Sequence, residues 1–449
     1  MFSLTARRCS TTTALIVGSL FAGGLTAASA DAATPRSATT NLAAAQIGPS
    51  GPGQIAAPQV DTPDPPAPAP VAGGNALAGE APISLSTLTS RIESALSVNG
   101  GPTGWAYSVS KGDQNVGGNS GGFARRPSDQ NNIPGGLAFG QGTRIQLMSV
   151  TKPITAMAIV RALDLAPNVD VDTPVSAYLP AGWAKGPGFA ANSASPITFR
   201  HLLTHTSGVL QEFQDPANDI SSWGNRWASL QPLVANGASP NVAAGEQYKN
   251  ANYALLRVLL PKLWSLADGP QTATTEANHG YRFLSYVNTR ILAPAGVNET
   301  SCWDNNDFGN TFAYNRTNVL IGGTPLGYAD DTRNECGGHA GLFLSSRDLV
   351  KVTATLREST KIMSQAARNE MFAGRLGWST GSNRAGTSSA NVWWHGGDGF
   401  YSQGRELHTC VMNAPQQYQL SLVMNSTLPG NRSQCGILLD AVNAARTAS

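Results

Sequence analysis

The sequence predicts an α+β fold, with strands near the two ends of the folded region and helices between them. Helical periodicity dominates from Ser149 to about Val297, whereas strand-like alternation occurs near the beginning and the end of the chain. Alternating βαβ units are not seen, so strands and helices are expected to be segregated. We therefore expect the first and last strands to meet in one sheet, with a helical lobe beside it.

The terminal elements are predicted from side-chain period and turn residues. The segment Ser84–Val98 (SLSTLTSRIESALSV) places its leucine and isoleucine residues on one helical face. Gly104–Asp113 (GWAYSVSKGD) alternates like a strand and ends in a turn signal. At the other end, Gln419–Ser426 is predicted as a strand and Cys435–Ala445 as the last helix.

Residues 1–30 have the features of a secretory signal peptide. Arg7 and Arg8 precede the apolar run Ala14–Ala28, and the small-residue sequence Ala28-Ser29-Ala30 follows. This order predicts cleavage near Asp31. The paired arginines leave twin-arginine export open beside the general secretory route. We expect a mature protein that is secreted or located in the periplasm or cell envelope.

Residues 31–82 are predicted to be a disordered linker. They are rich in alanine, proline and glycine, most of all in Asp61–Gly74 (DTPDPPAPAPVAGG). Such a segment cannot bury enough apolar surface to offset the entropy lost on ordering. Residues 83–449 then remain for one folded domain of two lobes, which the motifs described below predict to be catalytic.

Charge and hydropathy exclude several classes of partner. Only 13% of residues are charged and the formal net charge is +2, which gives no basic footprint for nucleic acid. No segment after the signal peptide is long and apolar enough to span a membrane. We expect a monomer that acts on a small molecule or a short peptide or ester.

Four cysteines remain once Cys9 has left with the signal peptide: Cys302, Cys336, Cys410 and Cys435. An even number in an exported protein predicts two disulfides. Three pairings are possible. Cys302–Cys336 with Cys410–Cys435 is preferred because it closes the shorter loops.

Two serine motifs are rejected as nucleophile sites. Gly118–Gly122 (GNSGG) fits G-x-S-x-G, but polar residues flank it where a strand–turn–helix elbow needs a buried strand and a helix. All six histidines follow this motif, which excludes the trypsin-type order. In Ser108–Lys111 the serine and the lysine lie three apart in a predicted strand, so they point to opposite faces.

Ser149-Val150-Thr151-Lys152 is the candidate catalytic motif. Positions three apart on a helix share a face, and Pro153 is compatible only with a helix start. Ser149 is therefore expected at a helix N-terminus, where free N–H groups favour developing negative charge. The apolar residues that follow would bury the helix. Lys152 would then be desolvated and its pKa lowered, so that it can accept the serine proton.

The pattern Y-x-N occurs twice, and one copy is placed for chemistry. Tyr286-Val287-Asn288 lies in a regular amphipathic helix pattern and is interpreted as packing. Tyr248-Lys249-Asn250 lies at a loop–helix junction, where side chains can face a cleft.

A third element is Trp393–Phe400 (WWHGGDGF), in which His395 precedes two glycines. Gly396 and Gly397 permit close approach of the backbone to a ligand.

In this order, the three motifs resemble the serine β-lactamase and penicillin-binding-protein superfamily, in the branch of class C β-lactamases, D-alanyl-D-alanine carboxypeptidases and esterases. Ser149–Lys152 matches S-x-x-K, Tyr248–Asn250 matches Y-x-N and His395–Gly397 matches K/H-x-G. Ile197–Val209 (ITFRHLLTHTSGV) is also similar. The resemblance runs from Ile83 to the C-terminus. It implies a mainly antiparallel sheet flanked by helices, with the site in the cleft beside the helical lobe.

The resemblance implies a serine hydrolase that forms an acyl-enzyme on Ser149 and needs no cofactor or metal. Lys152 and Tyr248 would share the proton transfer, and because they exchange one proton the base is not assigned to either. The oxyanion hole would use the backbone N–H groups of Ser149 and Asp398. The residues that would bind or orient substrate are Asn250, His395, Gly396 and Gly397.

His395 stands where β-lactamases of this branch usually carry lysine. A histidine near its usual pKa of about 6.5 is mostly neutral at pH 7. This favours a D-amino-acid peptidase (DD-carboxypeptidase-like) or an esterase over a class C-type β-lactamase. It also predicts that anionic substrates are favoured as the pH falls through the pKa of His395. The alternative from another class is a non-catalytic module that binds peptidoglycan or penicillin.

His201 and His205 have the i, i+4 spacing of some metal-binding helices. No glutamate completes an H-E-x-x-H pattern, and the resemblance indicates a structural turn here. We expect no metal at this position.

Overall fold

The computed structural model describes residues 82–98, 101–127, 129, 136–209, 227–269, 275–302, 311–315, 327–328, 337–380, 392–401, 404–428 and 432–447. The predicted signal peptide lies outside these residues, as does all of the predicted linker except its last residue. Among the described residues, no helix has the length and apolar character needed to cross a membrane.

Eleven strands occur in the described residues. They are β1 (Gly104–Lys111), β2 (Gln114–Arg125), β3 (Leu137–Ala138), β4 (Ile145–Gln146), β5 (Ala313–Tyr314), β6 (Gly327–Tyr328), β7 (Phe343–Leu344), β8 (Ser379–Thr380), β9 (Trp393–Tyr401), β10 (Arg405–Ala414) and β11 (Tyr418–Met424).

Nine α-helices occur in the same residues. They are α1 (Leu85–Ser97), α2 (Thr151–Leu165), α3 (Phe199–Leu203), α4 (Trp227–Asn236), α5 (Asn250–Asp268), α6 (Glu276–Tyr286), α7 (Ser346–Glu358), α8 (Gln365–Ala373) and α9 (Gln434–Thr447). A π-helical turn, Val287–Leu292, continues α6 where the sequence predicted a regular helix.

The main sheet is antiparallel and joins the two ends of the folded region. β1 pairs with β11 over its whole length, from Trp105 opposite Met424 to Lys111 opposite Tyr418. β2 and β3 follow on one side, and β10, β9 and β8 on the other. The predicted α+β class is therefore confirmed, including the meeting of the first and last strands.

Helices cover both faces of this sheet because side chains alternate along each strand. Tyr107 and Leu422 lie in one apolar cluster with Ile92 of α1 and Leu438 of α9. Ala106, next to Tyr107, belongs to a second and larger cluster that includes the helical lobe. On that second face, α7 packs against β1 and β11.

The two central helices of the lobe are buried nearly all round. In α2, twelve of fifteen residues are buried, and α5 is buried without interruption from Ala251 to Pro261. A helix that is apolar on every side belongs in a protein interior. The turn before α2 packs against β9, and the ring of Tyr248, just before α5, lies 6.3 Å from that of His395 in β9, which brings the three sequence motifs together.

The prediction of a disulfide between Cys410 and Cys435 is confirmed. It links β10 to the first turn of α9, where Cys435 lies near Gly396 of β9. Cys302 is also disulfide-bonded. Its predicted partner Cys336 lies outside the described residues, so that pairing stays a prediction.

Candidate active site

Ser149 lies in a single 3-10 turn, Met148–Val150, that leads directly into α2. The turn is held in place because Thr409 of β10 donates a hydrogen bond to the carbonyl of Leu147 at 2.6 Å. Met148 has a φ of 50°, in the left-handed region that a side chain disfavours. Strain of this kind persists only where the surrounding structure imposes it. Ser149 itself is half-buried between fully buried neighbours.

Lys152 lies one turn into the helix and has no exposed surface. Its Nζ lies 3.0 Å from Ser149 Oγ, 2.8 Å from Asn250 Oδ1 and 3.0 Å from the carbonyl oxygen of His339. The last two atoms can only accept hydrogen bonds. A neutral amine would therefore give them its two hydrogens and turn its lone pair towards Ser149 Oγ. A protonated amine would donate to all three atoms.

Tyr248 and Asn250 flank the start of α5. The Tyr248 hydroxyl donates to Ser149 Oγ at 2.8 Å, and its ring centroid lies 4.7 Å from Lys152 Nζ. Asn250 is the first residue of α5, which fixes its Oδ1 against Lys152. The structure thus brings together four of the predicted site residues: Ser149, Lys152, Tyr248 and Asn250.

The rejected motifs lie elsewhere. Ser120 is inside β2, which continues to Arg125, so no strand–turn–helix elbow is present there. Ser108 is buried and hydrogen-bonds Ser346 of α7 at 3.0 Å, whereas Lys111 is exposed. Tyr286 is fully buried and packs edge-on against Trp264, as expected for a packing residue.

His205 is a contact of Tyr248 that sequence reasoning did not assign to the site. Its ring centroid lies 4.6 Å from that of Tyr248 and 5.1 Å from that of Tyr253. Its Nδ1 accepts a hydrogen bond from the backbone N–H of Lys249 at 3.2 Å. Burial, followed by the nearby positive charge of Lys152, holds the pKa of His205 well below its usual value. The i, i+4 histidine pair was the available signal, but it was weighed as a metal site and interpreted as a structural turn.

His395 lies on β9 with its ring 6.3 Å from that of Tyr248, centroid to centroid. It is buried, and its Nδ1 lies 2.8 Å from the carbonyl oxygen of Gly396. Desolvation, with the charge of Lys152 adding to it, lowers the pKa of His395 to about 3. The ring is therefore neutral across the physiological range. The preference for anionic substrates is therefore expected only far below the pH of about 6.5 that the sequence suggested.

The glycines of β9 allow this strand to lie against the turn Met148–Val150. A Cβ on Gly397 would lie 3.0 Å from Met148 Cβ and would clash with the carbonyl of Leu147. A Cβ on Gly399 would clash with the Met148 side chain. β8 pairs with β9 only at Trp393 and Trp394, so among the described strands none continues along that edge past Trp394.

Asp398, the predicted second oxyanion residue, follows Gly397 in β9. Its side chain points away from the buried face of β9 and accepts hydrogen bonds from His408 Nδ1 at 2.8 Å and Gln434 Nε2 at 3.0 Å. His408 also contacts Glu406 at 2.8 Å. Burial opposes the charged ring, but the two carboxylates outweigh it and raise the pKa of His408 to about 9. Both hydrogen bonds are accepted by the same oxygen of Asp398, Oδ1.

A cavity of about 270 Å³ adjoins this arrangement. His205, Tyr253 and His395 line one part of it, and Glu246 and Arg375 line another. Its volume is slightly below the roughly 300–1,000 Å³ of pockets that enclose a whole drug-sized ligand. It is large enough for one part of a substrate.

Known proteins match this chain in sequence. An acyltransferase of Penicillium decumbens is 27% identical over 271 residues, which are 54% of this chain and 60% of the relative. Esterase EstB of Burkholderia gladioli is 39% identical over 74 residues, 16% of this chain and 18% of the esterase. The matched regions thus span less than two thirds of either relative.

Solved structures match it in fold. The octameric penicillin-binding protein homologue from Pyrococcus abyssi has a TM-score of 0.58 at 20% identity, over 80% of this chain and 77% of the other. At this identity the likeness shows the fold alone. A family model described as Beta-lactamase matches residues 90–438, most of the chain. The predicted resemblance is confirmed: the chain belongs to the β-lactamase family.

Proposed function

We propose that this protein is a serine hydrolase that cleaves esters or amides through an acyl-enzyme on Ser149. The observation that supports the proposal is that Lys152 and Tyr248 both contact the hydroxyl oxygen of Ser149. Ser149 Oγ lies 3.0 Å from Lys152 Nζ and 2.8 Å from the Tyr248 hydroxyl. A weak nucleophile with a proton acceptor and a proton donor at hydrogen-bond distance has the geometry that acyl transfer needs.

The first half-reaction needs Lys152 in its neutral form: Ser149 Oγ forms a bond to the substrate carbonyl carbon and its proton passes to Lys152. The negative charge on the carbonyl oxygen is stabilised by the backbone N–H groups of Ser149 and Asp398. The bond from carbon to the leaving oxygen or nitrogen then breaks. The leaving group takes a proton from the Tyr248 hydroxyl, which recovers one from Lys152.

In the second half-reaction, water attacks the acyl carbon, loses its proton to the same pair, and releases the acid. Ser149 Oγ regains a proton, so the enzyme returns to its starting state. Lys152 is the base in this scheme because two of its contacts, Asn250 Oδ1 and the His339 carbonyl, take hydrogens of the neutral amine and leave its lone pair for Ser149.

An esterase or amidase substrate without a carboxylate beside the reacting carbonyl is favoured over a β-lactam. A β-lactam or a C-terminal D-alanine brings a carboxylate into the site, and neutral His395 offers it no charge. Esterase EstB and the Penicillium acyltransferase are family relatives whose names support acyl transfer. DD-carboxypeptidase and class C-type β-lactamase activity follow in that order. If the protein is a DD-carboxypeptidase, its substrates are peptidoglycan stem peptides.

The first test is intact-mass analysis of protein mixed with a fluorophosphonate probe or with benzylpenicillin. We expect a fluorophosphonate adduct on the wild type and on Ser120→Ala, and none on Ser149→Ala. A long-lived penicilloyl adduct on Ser149 would instead favour the peptidase. Absence of both adducts from folded wild-type protein would contradict the proposal and favour a binding module.

Export is proposed on separate grounds. A signal peptide is predicted at residues 1–30, and a disulfide such as Cys410–Cys435 is compatible with an oxidising compartment. Expression of the full chain in a secreting host, with N-terminal sequencing of the extracellular product, tests this. We expect the mature chain to begin near Asp31; an intact N-terminus on protein kept inside the cells would contradict it.

A further inference from the structure

A cavity lies beside the two histidine rings that are close to Tyr248. Under the proposed function, the Tyr248 hydroxyl protonates the leaving group. The rings of His205 and His395, whose centroids lie 4.6 and 6.3 Å from that of Tyr248, both line the cavity. A substituent on the leaving atom is therefore directed towards these two rings.

The hydrogen of the His205 ring is fixed on Nε2. The backbone N–H of Lys249 lies 3.2 Å from His205 Nδ1 and can only donate, so Nδ1 is the acceptor. Asn252 Nδ2 lies 3.1 Å from the same nitrogen. His205 is only 5% exposed and its ring is neutral, so the hydrogen is on Nε2. Among the described residues none accepts this hydrogen, and His205 is one of the residues that line the cavity.

His395 has the opposite tautomer. Its Nδ1 lies 2.8 Å from the carbonyl oxygen of Gly396, which can only accept, so Nδ1 carries the hydrogen. In the neutral ring, Nε2 is then a hydrogen-bond acceptor. Within the described part of the chain, this Nε2 also lacks a hydrogen-bond partner. One donor and one acceptor, on two buried side chains, therefore line the same cavity.

The charges around the cavity largely offset one another. Glu246 and Arg375 lie in the same wall and have opposite charges. Burial raises the pKa of Glu246, and the nearby charge of Arg375 opposes that rise. Lys152 lowers the pKa of both histidines but is not one of the residues that line the cavity. No excess charge of one sign favours an ionic group.

We propose that this cavity is a leaving-group subsite that selects an uncharged group with both a hydrogen-bond acceptor and a donor, such as a carboxamide. The carbonyl oxygen of the group accepts from Nε2–H of His205, and its N–H donates to Nε2 of His395. The proposal rests on the proposed function, because it assumes that Tyr248 faces the leaving group. It extends that function by naming the chemistry of the preferred substrate.

Three acetate esters of nearly equal size test the subsite: those of 2-hydroxyacetamide, hydroxyacetone and glycolate. The first leaving group offers acceptor and donor, the second only an acceptor, and the third an anion. We expect wild-type kcat/KM to be about tenfold higher for the amide than for the ketone, because the ketone leaves His395 Nε2 unpaired. The glycolate ester should be the poorest of the three.

Two asparagine variants separate the contributions of the rings. His395→Asn keeps a donor for the Gly396 carbonyl but removes Nε2, so the amide-to-ketone ratio should fall to about one. His205→Asn keeps an acceptor for Lys249 but removes Nε2–H. It should lower kcat/KM for both neutral esters while preserving their ratio. His201→Asn is the matched control, since His201 Nδ1 caps α3 away from the cavity, and it should change neither value.

The outcomes distinguish the subsite from the proposed function. Equal kcat/KM for amide and ketone in a wild type that is labelled by fluorophosphonate would overturn the subsite alone. A preference for the glycolate ester would overturn it too, and would indicate that Arg375 determines selectivity. Failure of fluorophosphonate to label Ser149 would overturn the proposed function and the subsite with it. Circular dichroism of each variant confirms folding, and the wild-type ratios need no variant.

Discussion

Lys152 Nζ lies 2.8 Å from Asn250 Oδ1, which joins the first turn of α2 to the first residue of α5. The two motifs are 98 residues apart in sequence and meet through this bond. Because Asn250 Oδ1 can only accept a hydrogen bond, it helps to decide where the lone pair of a neutral Lys152 points. The position of Asn250 at the start of α5 therefore affects whether Lys152 can accept a proton from Ser149.

Asn250→Asp replaces the neutral acceptor with a carboxylate of nearly the same shape. An anion 2.8 Å from the amine favours its protonated form, so Lys152 would be less able to take the proton of Ser149. We expect the rate of fluorophosphonate labelling at pH 7 to fall by about 10²-fold, and the acidic limb of its pH profile to move to higher pH. Labelling rates measured from pH 5 to 10 check both effects.

Asn250→Ala is the matched control for this prediction. It removes the acceptor without adding a charge, so the rate should fall while the acidic limb does not move to higher pH. Wild-type rates in Asn250→Asp would assign the base to Tyr248 in place of Lys152, because a charged lysine would then assist a tyrosinate.

The sequence predicted the fold class, the terminal elements and the residues that surround Ser149, because each leaves a local signal. A few residues suffice to recognise each of these signals: the apolar period of α1, the proline at the start of α2, and the glycines after His395. The role of His205 was not predictable in this way. Its contacts with Tyr248 and with the N–H of Lys249 join positions more than 40 residues apart, and depend on how α3 packs against α5. The low pKa of His395 likewise follows from tertiary burial.

Gly397→Ala should strongly reduce the proposed hydrolytic activity by displacing β9 from the turn Met148–Val150. The new Cβ would lie 3.0 Å from Met148 Cβ and would clash with the Leu147 carbonyl, so the strand must shift. A misplaced oxyanion donor typically costs about 10²–10³ in rate. We expect a kcat/KM loss of this size in steady-state ester hydrolysis. The control is Gly142→Ala, where a Cβ meets nothing within 4 Å. Full activity in Gly397→Ala would show that β9 does not supply the oxyanion donor.

Loss of the Cys410–Cys435 disulfide should destabilise the protein and disturb β9. The bond closes a loop with a sequence separation of 25, for which chain entropy predicts roughly 3 kcal/mol of stabilisation. Cys435→Ser should therefore lower Tm by several degrees in calorimetry, and a reductant should lower it less in this variant than in wild type. Cys302→Ser separates the contribution of the other disulfide. Equal Tm values for Cys435→Ser and wild type would contradict the prediction.

The contacts of His408 with Asp398 and Glu406 should make the free energy of unfolding decrease at alkaline pH. The pKa of His408 is raised to about 9 in the folded protein, from about 6.5 when unfolded. The charged ring therefore stabilises the fold fully below pH 6.5, and this stabilisation is lost as the pH rises through 9. A shift of this size corresponds to at most about 3 kcal/mol. Because Asp398 is half exposed, we expect about 1–2 kcal/mol.

The measurement is urea unfolding of wild type and His408→Gln at several values between pH 6 and 10. The difference in the free energy of unfolding should be largest at pH 6 and should vanish near pH 10. His201→Gln is the control. Burial lowers the pKa of His201, so its ionisation affects the free energy of unfolding at acidic pH and not between pH 8 and 10. A difference between wild type and His408→Gln that stays constant over this range would mean that His408 is neutral in the folded protein. Asp398 would then be held by neutral hydrogen bonds alone.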